Sequence, residues 1–230
     1  MQPNKTLLLI FSIAGGPIYL SQQETLTMWA RALVRADMMP AFSQGFNPHP
    51  KISLPLPRSV GVEGEEDILT VQIASLSCDP QAVADQLNGQ LPQGCRVIRA
   101  ELFETRQRRY PESILYVIEP TAAAWAGGLE PRLERCREAL ETKSRIEMLR
   151  LRPNDRIGRT VDIGVYLQHL DWHCGRVRLR CRFSGQGTAR VEELLTWIGL
   201  GRHELSRSVI RTQIQWSSDG WKNEQGELCL

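Results

Sequence analysis

The chain is short of several features that would give it an obvious role. No run of about 18 apolar residues occurs, which excludes a helical membrane span. There is no G-x-x-x-x-G-K-[ST] loop and no G-x-G-x-x-G turn, the two glycine-rich devices that cradle nucleotide phosphates. There is no C-x-x-x-C-x-x-C set to hold an iron–sulfur cluster, and no C-x-x-C pair at all. The 6 cysteines (Cys78, Cys95, Cys136, Cys174, Cys181, Cys229) are scattered through 230 residues that are 42% apolar. A disulfide framework belongs to small secreted chains with little core, so these read as reduced thiols of a cytoplasmic protein. His169, His173, Cys174 and Cys181 come nearest to a metal set. The two histidines would align on a helix, or the segment could be a strand–loop–strand. No metal and no cofactor are expected.

What remains is material for a core. With 23% charged residues the composition is that of a globular chain, long enough for one large domain or two small ones. "TLLLIFS" (6–12) reads as a buried first strand rather than a leader peptide. Leu26, Trp29, Ala30, Leu33 and Val34 recur at helical spacing, so 22–37 is an amphipathic helix, and Ser21 with Glu24 forms its capping box. Extended segments at 38–43 and 51–60, a strand at 67–75, a helix over 79–90 opened by Asp79 and Pro80, and a strand at 94–104 complete a first half. The second half repeats the order: strand 113–119, a helix over 122–142 interrupted by Gly127, Gly128 and Pro131, strands 145–152 and 175–183, a helix over 189–199 and a strand over 205–216. Each half therefore reads β-α-β-β-α-β. The expected fold is α+β, two tandem ferredoxin-like halves with antiparallel sheets (1–108 and 109–216), followed by a polar tail (217–230) turning at Asp219-Gly220.

Charge is uneven. The formal net charge is only +2, and the chain has 24 Arg to 4 Lys. Between Lys143 and Arg211, however, 14 basic residues stand against 7 acidic ones, a local excess of seven. In "RVRLRCRF", Arg176, Arg178, Arg180 and Arg182 share one parity while Val177, Leu179, Cys181 and Phe183 share the other. A strand alternates its faces, so four guanidinium groups should leave one side. Arg150 and Arg152 alternate in the preceding strand, and Arg207 and Arg211 fall on one parity of the last. Within the strand no acid alternates with these arginines. A face of four to eight like charges is better covered by phosphate than left in water, because the planar guanidinium fork matches phosphate oxygens. These eight arginines are the expected nucleic-acid-binding set; an acidic protein partner or a plain solvated face would account for the same pattern. Few aromatics accompany them, so base-specific reading is not expected.

The most distinctive stretch is "FSQGFNPHPKISLPLP" (42–57). Pro48 and Pro50 bracket His49 and stiffen it, and Gly45 permits a positive φ before Phe46. Ser43, Gln44, Gly45, Phe46, Asn47, Pro48, His49, Pro50 and Lys51 are the expected binding loop, presented by a rigid scaffold at little entropic cost. A plain structural connection would account for the same residues.

Together with "LTMWARALVRADMMP" before it, "AFSQGFNPHPKISLPLPRSVGVEGEEDIL" resembles the radical SAM-linked protein family, a bacterial domain of unknown function found alone or fused to the C-terminus of cobalamin-binding radical SAM proteins. The likeness continues through "RLRPNDRIGRTVDIGVYLQHL" to "VIRTQIQW". Family members carry Ser-His-Leu-Asp at the helix start where this chain has Ser21-Gln22-Gln23-Glu24; the serine and an acid persist, as a cap requires. The resemblance implies a radical SAM enzyme as partner, and the chain cannot hold that enzyme's cluster itself. With the basic strand, the expectation is a non-catalytic RNA-binding or substrate-presenting partner of an RNA-modifying radical SAM enzyme, its substrate tRNA or rRNA. The alternatives are a protein adaptor docking through "FNPHP", and an RNA-modifying enzyme of pseudouridine-synthase-like architecture using His49, Lys51 or Asp162.

Overall fold

The computed structural model describes residues 5–73, 79–105, 107–150, 158–185 and 187–217, and the backbone of 221–222 and 228–229. The chain divides into two compact units. One is Met1–Pro111 with Trp216–Gly220, the other Glu112–Gln215 with Trp221–Leu230.

In the first unit, β1 (Lys5–Ile13), α1 (Gln22–Arg35), β2 (Ile52–Ser53), β3 (Val62–Ile73), α2 (Pro80–Asn88) and β4 (Cys95–Phe103) follow in order. The strands lie β4-β1-β3-β2, every neighbouring pair antiparallel. Leu7, Leu9, Phe11 and Ile13 share one parity of β1 and enter a core with Trp29 and Leu33 of α1 and Val83 and Leu87 of α2. Trp29 meets Phe11 edge-on, centroids 4.9 Å apart, a favoured aromatic geometry. Ser21 caps α1 as its sequence requires, its hydroxyl accepting from the Glu24 N–H while the Glu24 carboxylate accepts from the Ser21 N–H. Asp79 caps α2, with Pro80 at the first turn where its missing N–H costs nothing.

The second unit holds β5 (Tyr110–Ile118), α3 (Ala122–Ala126), α4 (Leu129–Glu141), β6 (Glu147–Arg150), β7 (Arg159–Asp162), β8 (Leu167–His173), β9 (Arg176–Arg182), α5 (Val191–Ile198) and β10 (Val209–Ser217). Its main sheet runs β10-β5-β9-β8. Gly128, at φ 84°, breaks the expected long helix into α3 and α4.

Two expectations change here. The strand placed at 145–152 begins at Glu147, and its described part, β6, does not join the main sheet but pairs with β7 as a separate antiparallel hairpin. The sheet's edge strand is instead β8, so His169 and His173 sit on a strand and not a helix. β8 turns directly into β9 through Cys174 and Gly175, at φ 50° and 75°, and two successive left-handed residues are what a two-residue hairpin turn of matching twist needs. The polar tail contains a short pairing of Trp221–Lys222 with Leu228–Cys229.

Candidate functional site

The loop singled out in the sequence is a clamped hairpin. The Ala41 carbonyl accepts from the Lys51 N–H (2.7 Å), Phe42 bridges Pro50, and the Ser43 N–H donates to the His49 carbonyl (2.8 Å). The Ser43 hydroxyl then accepts from the His49 N–H at 2.9 Å. The stem is held by backbone pairing and the tip, Gln44 to Pro48, is exposed. Gly45 takes φ 130° with nothing near its missing Cβ, so the turn and not crowding calls for glycine. Immediately after it, the Phe46 ring is fully in solvent (107% of its reference exposure). Asn47 and His49 are also exposed, and Lys51 is half-buried where the stem ends.

Beside this hairpin α1 leaves an open groove of about 790 Å³. Leu26, Ala30 and Val34 form one wall, and Phe42, Pro50 and Ile52 the other. Ala30 and Val34 fit the helical period in sequence and read as core; Trp29 and Leu33 do enter the core, whereas Val34 is 56% exposed. The apolar stripe of α1 is thus wider than its own core uses. Arg31, Arg35 and His49 are the ionisable side chains of the lining, and no carboxylate lines it. The Arg35 guanidinium donates to the Gln90 carbonyl (2.7 Å). Arg31 makes no hydrogen bond or ion pair among the described residues.

The arginines divide into groups with different surroundings. Arg176, Arg178, Arg180 and Arg182 do share one side of β9. Asp171 of β8 lies directly across from Arg178 and pairs with it, and the same carboxylate holds His169 Nε2 at 3.0 Å. Arg176 Nε stands 3.0 Å from Glu119 Oε1, an ion pair without hydrogen-bond alignment, and Arg207 approaches the same oxygen at 3.9 Å. Arg180 donates to the neutral Gln213 amide at 2.9 Å, and Arg182 to the Val165 carbonyl. Ser113 and Leu115, in register with Arg182 and Arg180 on β5, are buried, so this side of the sheet is not simply open.

The other members lie elsewhere. Arg207 precedes β10 in a bend, and Arg211 is buried. Arg152 lies outside the described residues. Arg150 is not on this surface: from β6 it makes a bidentate pair with Glu193 of α5, both bonds 2.7 Å and both side chains 8% exposed. Burial works to raise the Glu193 carboxyl, but the Arg150 guanidinium and the Arg190 N–H hold it below its ordinary 4.5. The alternation of Arg150 with Leu149 and Leu151 could not reveal this, because the partner lies 43 residues on. The sequence offered no sign of Asp171 as a counter-ion either, since it comes from the neighbouring strand.

Asp162, the carboxylate considered for catalysis, accepts from the Ile146 and Gly164 N–H groups, both at 3.0 Å. It ties the β6–β7 hairpin to the turn after β7. Burial pushes the Cys95 and Cys181 thiols up to about 12, which makes them inert core groups. Among the described residues no three His, Cys, Asp or Glu side chains gather into a metal-binding group. Nor, among them, is any helix long and apolar enough to cross a membrane.

No curated protein matches this chain. Among solved structures it is similar to the crystal structure of an unknown protein from Galdieria sulphuraria, at 11% identity and a TM-score of 0.25 over 93% of this chain and 98% of that one. A family model matches residues 7–194, a span that contains α1, the clamped hairpin and β9. By that match the chain belongs to DUF2344, the family described as an uncharacterised protein conserved in bacteria.

Proposed function

We propose that this chain is a non-catalytic docking module that works beside a radical SAM enzyme, and that the 42–50 hairpin is the part that touches it. The observation that carries this is Phe46, a fully exposed aromatic ring on a tip whose stem is clamped at Ser43 and His49. Held that way, the ring loses little freedom on binding, and burying it in a partner would contribute about 1.5–3 kcal/mol. The radical SAM partner follows from the motif resemblance. Asp162, whose Oδ1 accepts from two backbone N–H groups, supports a structural role for that carboxylate. The strand orders β4-β1-β3-β2 and β10-β5-β9-β8 support a duplicated ferredoxin-like plan, with the β6–β7 hairpin added to the second copy. Buried, unactivated thiols at Cys95 and Cys181 agree with a cytoplasmic setting.

The test is biolayer interferometry against the cobalamin-binding radical SAM protein of the same genome. Saturable binding that Phe46→Ala weakens at least tenfold supports docking by the hairpin; no binding, or binding indifferent to Phe46, overturns it.

A second role, presenting tRNA or rRNA to that enzyme, is favoured by the local basic excess and by Arg180, whose partner is a neutral amide. Filter binding of total tRNA at two salt concentrations tests it. About six phosphate contacts would cost several orders of magnitude in affinity between low and moderate salt. An Arg178→Glu/Arg180→Glu variant should abolish that binding and leave hairpin docking intact.

A further inference from the structure

We infer that the groove between α1 and the clamped hairpin receives a short amphipathic helix of the partner, with acidic residues flanking its apolar stripe. This rests on the docking role proposed above and names what docks. Three observations point to a helix of that kind. The groove follows α1 from Gln23 to Arg35, 13 residues along the axis, or roughly 18 Å at 1.5 Å per step. That length accommodates the i, i+3/i+4, i+7 anchors of two to three helical turns. Its exposed apolar surface, Val34 on one wall and Phe42 on the other, lies on two elements that face each other across it, so an occupant must be apolar along its length. The lining is also one-signed: its charged side chains are Arg31 and Arg35, no carboxylate stands among them, and Arg31 is exposed and unpaired among the described residues. A neutral or basic helix would leave those cations facing apolar or like-charged surface, whereas Asp or Glu at the rim would answer them.

The arrangement follows from the sequence of α1. Its buried residues Thr25, Trp29, Ala32 and Leu33 serve the core, Leu26 packs partly against it, and Ala30 and Val34 continue the stripe past it. A helix that needed only to cover its sheet would carry polar residues at 30 and 34. Small Ala30 between Leu26 and Val34 leaves space in the groove where a partner side chain can enter.

The experiment is selection of the purified full chain against a displayed library of 16-residue peptides with apolar anchors at helical spacing and randomised flanks, followed by fluorescence anisotropy. The expected winners carry Asp or Glu beside the anchors and bind the wild-type chain. Val34→Asp, at a position 56% exposed and with its thermal midpoint measured alongside to verify folding, should weaken them at least 30-fold, and Arg31→Glu about tenfold while shifting selection toward Lys-flanked peptides. Winners that bind Val34→Asp equally well, winners without acidic flanks, or no winners each overturn the helix assignment. Phe46→Ala separates this from the parent proposal. If it still disrupts docking on the radical SAM protein while Val34→Asp does not, the hairpin docks and the groove is idle. If neither variant disrupts docking, both fail.

Discussion

The α1–hairpin surface of the first unit and the β9 surface of the second carry the two most unusual stretches of this sequence, and they are built on opposite principles. The first exposes apolar side chains, Phe46 wholly at the tip and Phe42 on the stem and Val34 on the helix in part. The second exposes charge, but Asp171 and Glu119 answer Arg178 and Arg176 from within the same unit. Exposed apolar groups lower the free energy of a complex by leaving water, whereas internally paired arginines must give up one partner to gain another. A surface rich in one kind of residue is therefore not ranked by count. It is ranked by how much of that residue's interaction the fold already satisfies.

The largest expected effect tests the extreme of internal satisfaction, the Arg150–Glu193 pair. Removing one member with Glu193→Ala strands a buried guanidinium and should lower stability by about 3–5 kcal/mol, read as a fall in urea midpoint. Replacing both, with Arg150→Met/Glu193→Leu, should restore most of it. The same pair sets an acid limit. Because the folded carboxyl titrates below its ordinary 4.5, its contribution is complete above that value and is lost as pH falls through the lowered one. Glu193→Gln should remove that component of the acid-unfolding curve.

Next in size is Phe46→Ala, which should cost docking about 1.5–3 kcal/mol and leave the thermal midpoint unmoved, since the ring touches nothing in the free chain. A shift in midpoint would mean that the tip belongs to the fold.

Smaller still is Asp171→Asn, which sharpens the comparison directly. The exposed pairs it breaks should change stability by less than about 1 kcal/mol. If the β9 surface binds polyanions, releasing Arg178 should raise tRNA affinity several-fold and steepen its salt dependence; unchanged tRNA binding would mean that pairing with Asp171 is all Arg178 does. Ser43→Ala should cost folding at most about 1 kcal/mol for one capping-type hydrogen bond, yet it should loosen the tip and raise the dissociation rate from the radical SAM protein.

What could be read from the sequence follows the range of the interactions. Capping is local, so Ser21–Glu24 and Asp79–Pro80 placed two helix starts correctly, and Gly127-Gly128 marked the break between α3 and α4. Strand parity is local too, and it put the four β9 arginines on one side. Pairing across strands is not local: nothing near Arg178 named Asp171, and nothing near Arg150 named Glu193. β8 was ambiguous because "LQHLDWH" satisfies a helical spacing of histidines as well as a strand's alternation, and its turn uses Cys174 at positive φ instead of the usual Asn or Asp. The groove was hidden by the same limit. Periodicity identifies an apolar stripe but not its width relative to what covers it, so Ala30 and Val34 were indistinguishable from Trp29 and Leu33.

The reciprocal bonds between Ser43 and His49 have a practical corollary. They isolate five residues, Gln44 to Pro48, of which Gly45 is fixed by the turn's φ of 130°. Such a segment behaves like an interchangeable head on a fixed handle: the positions around that glycine can be replaced or tagged while the strands on either side keep their register. Relatives that differ there would be expected to differ in whom they meet and not in how they fold.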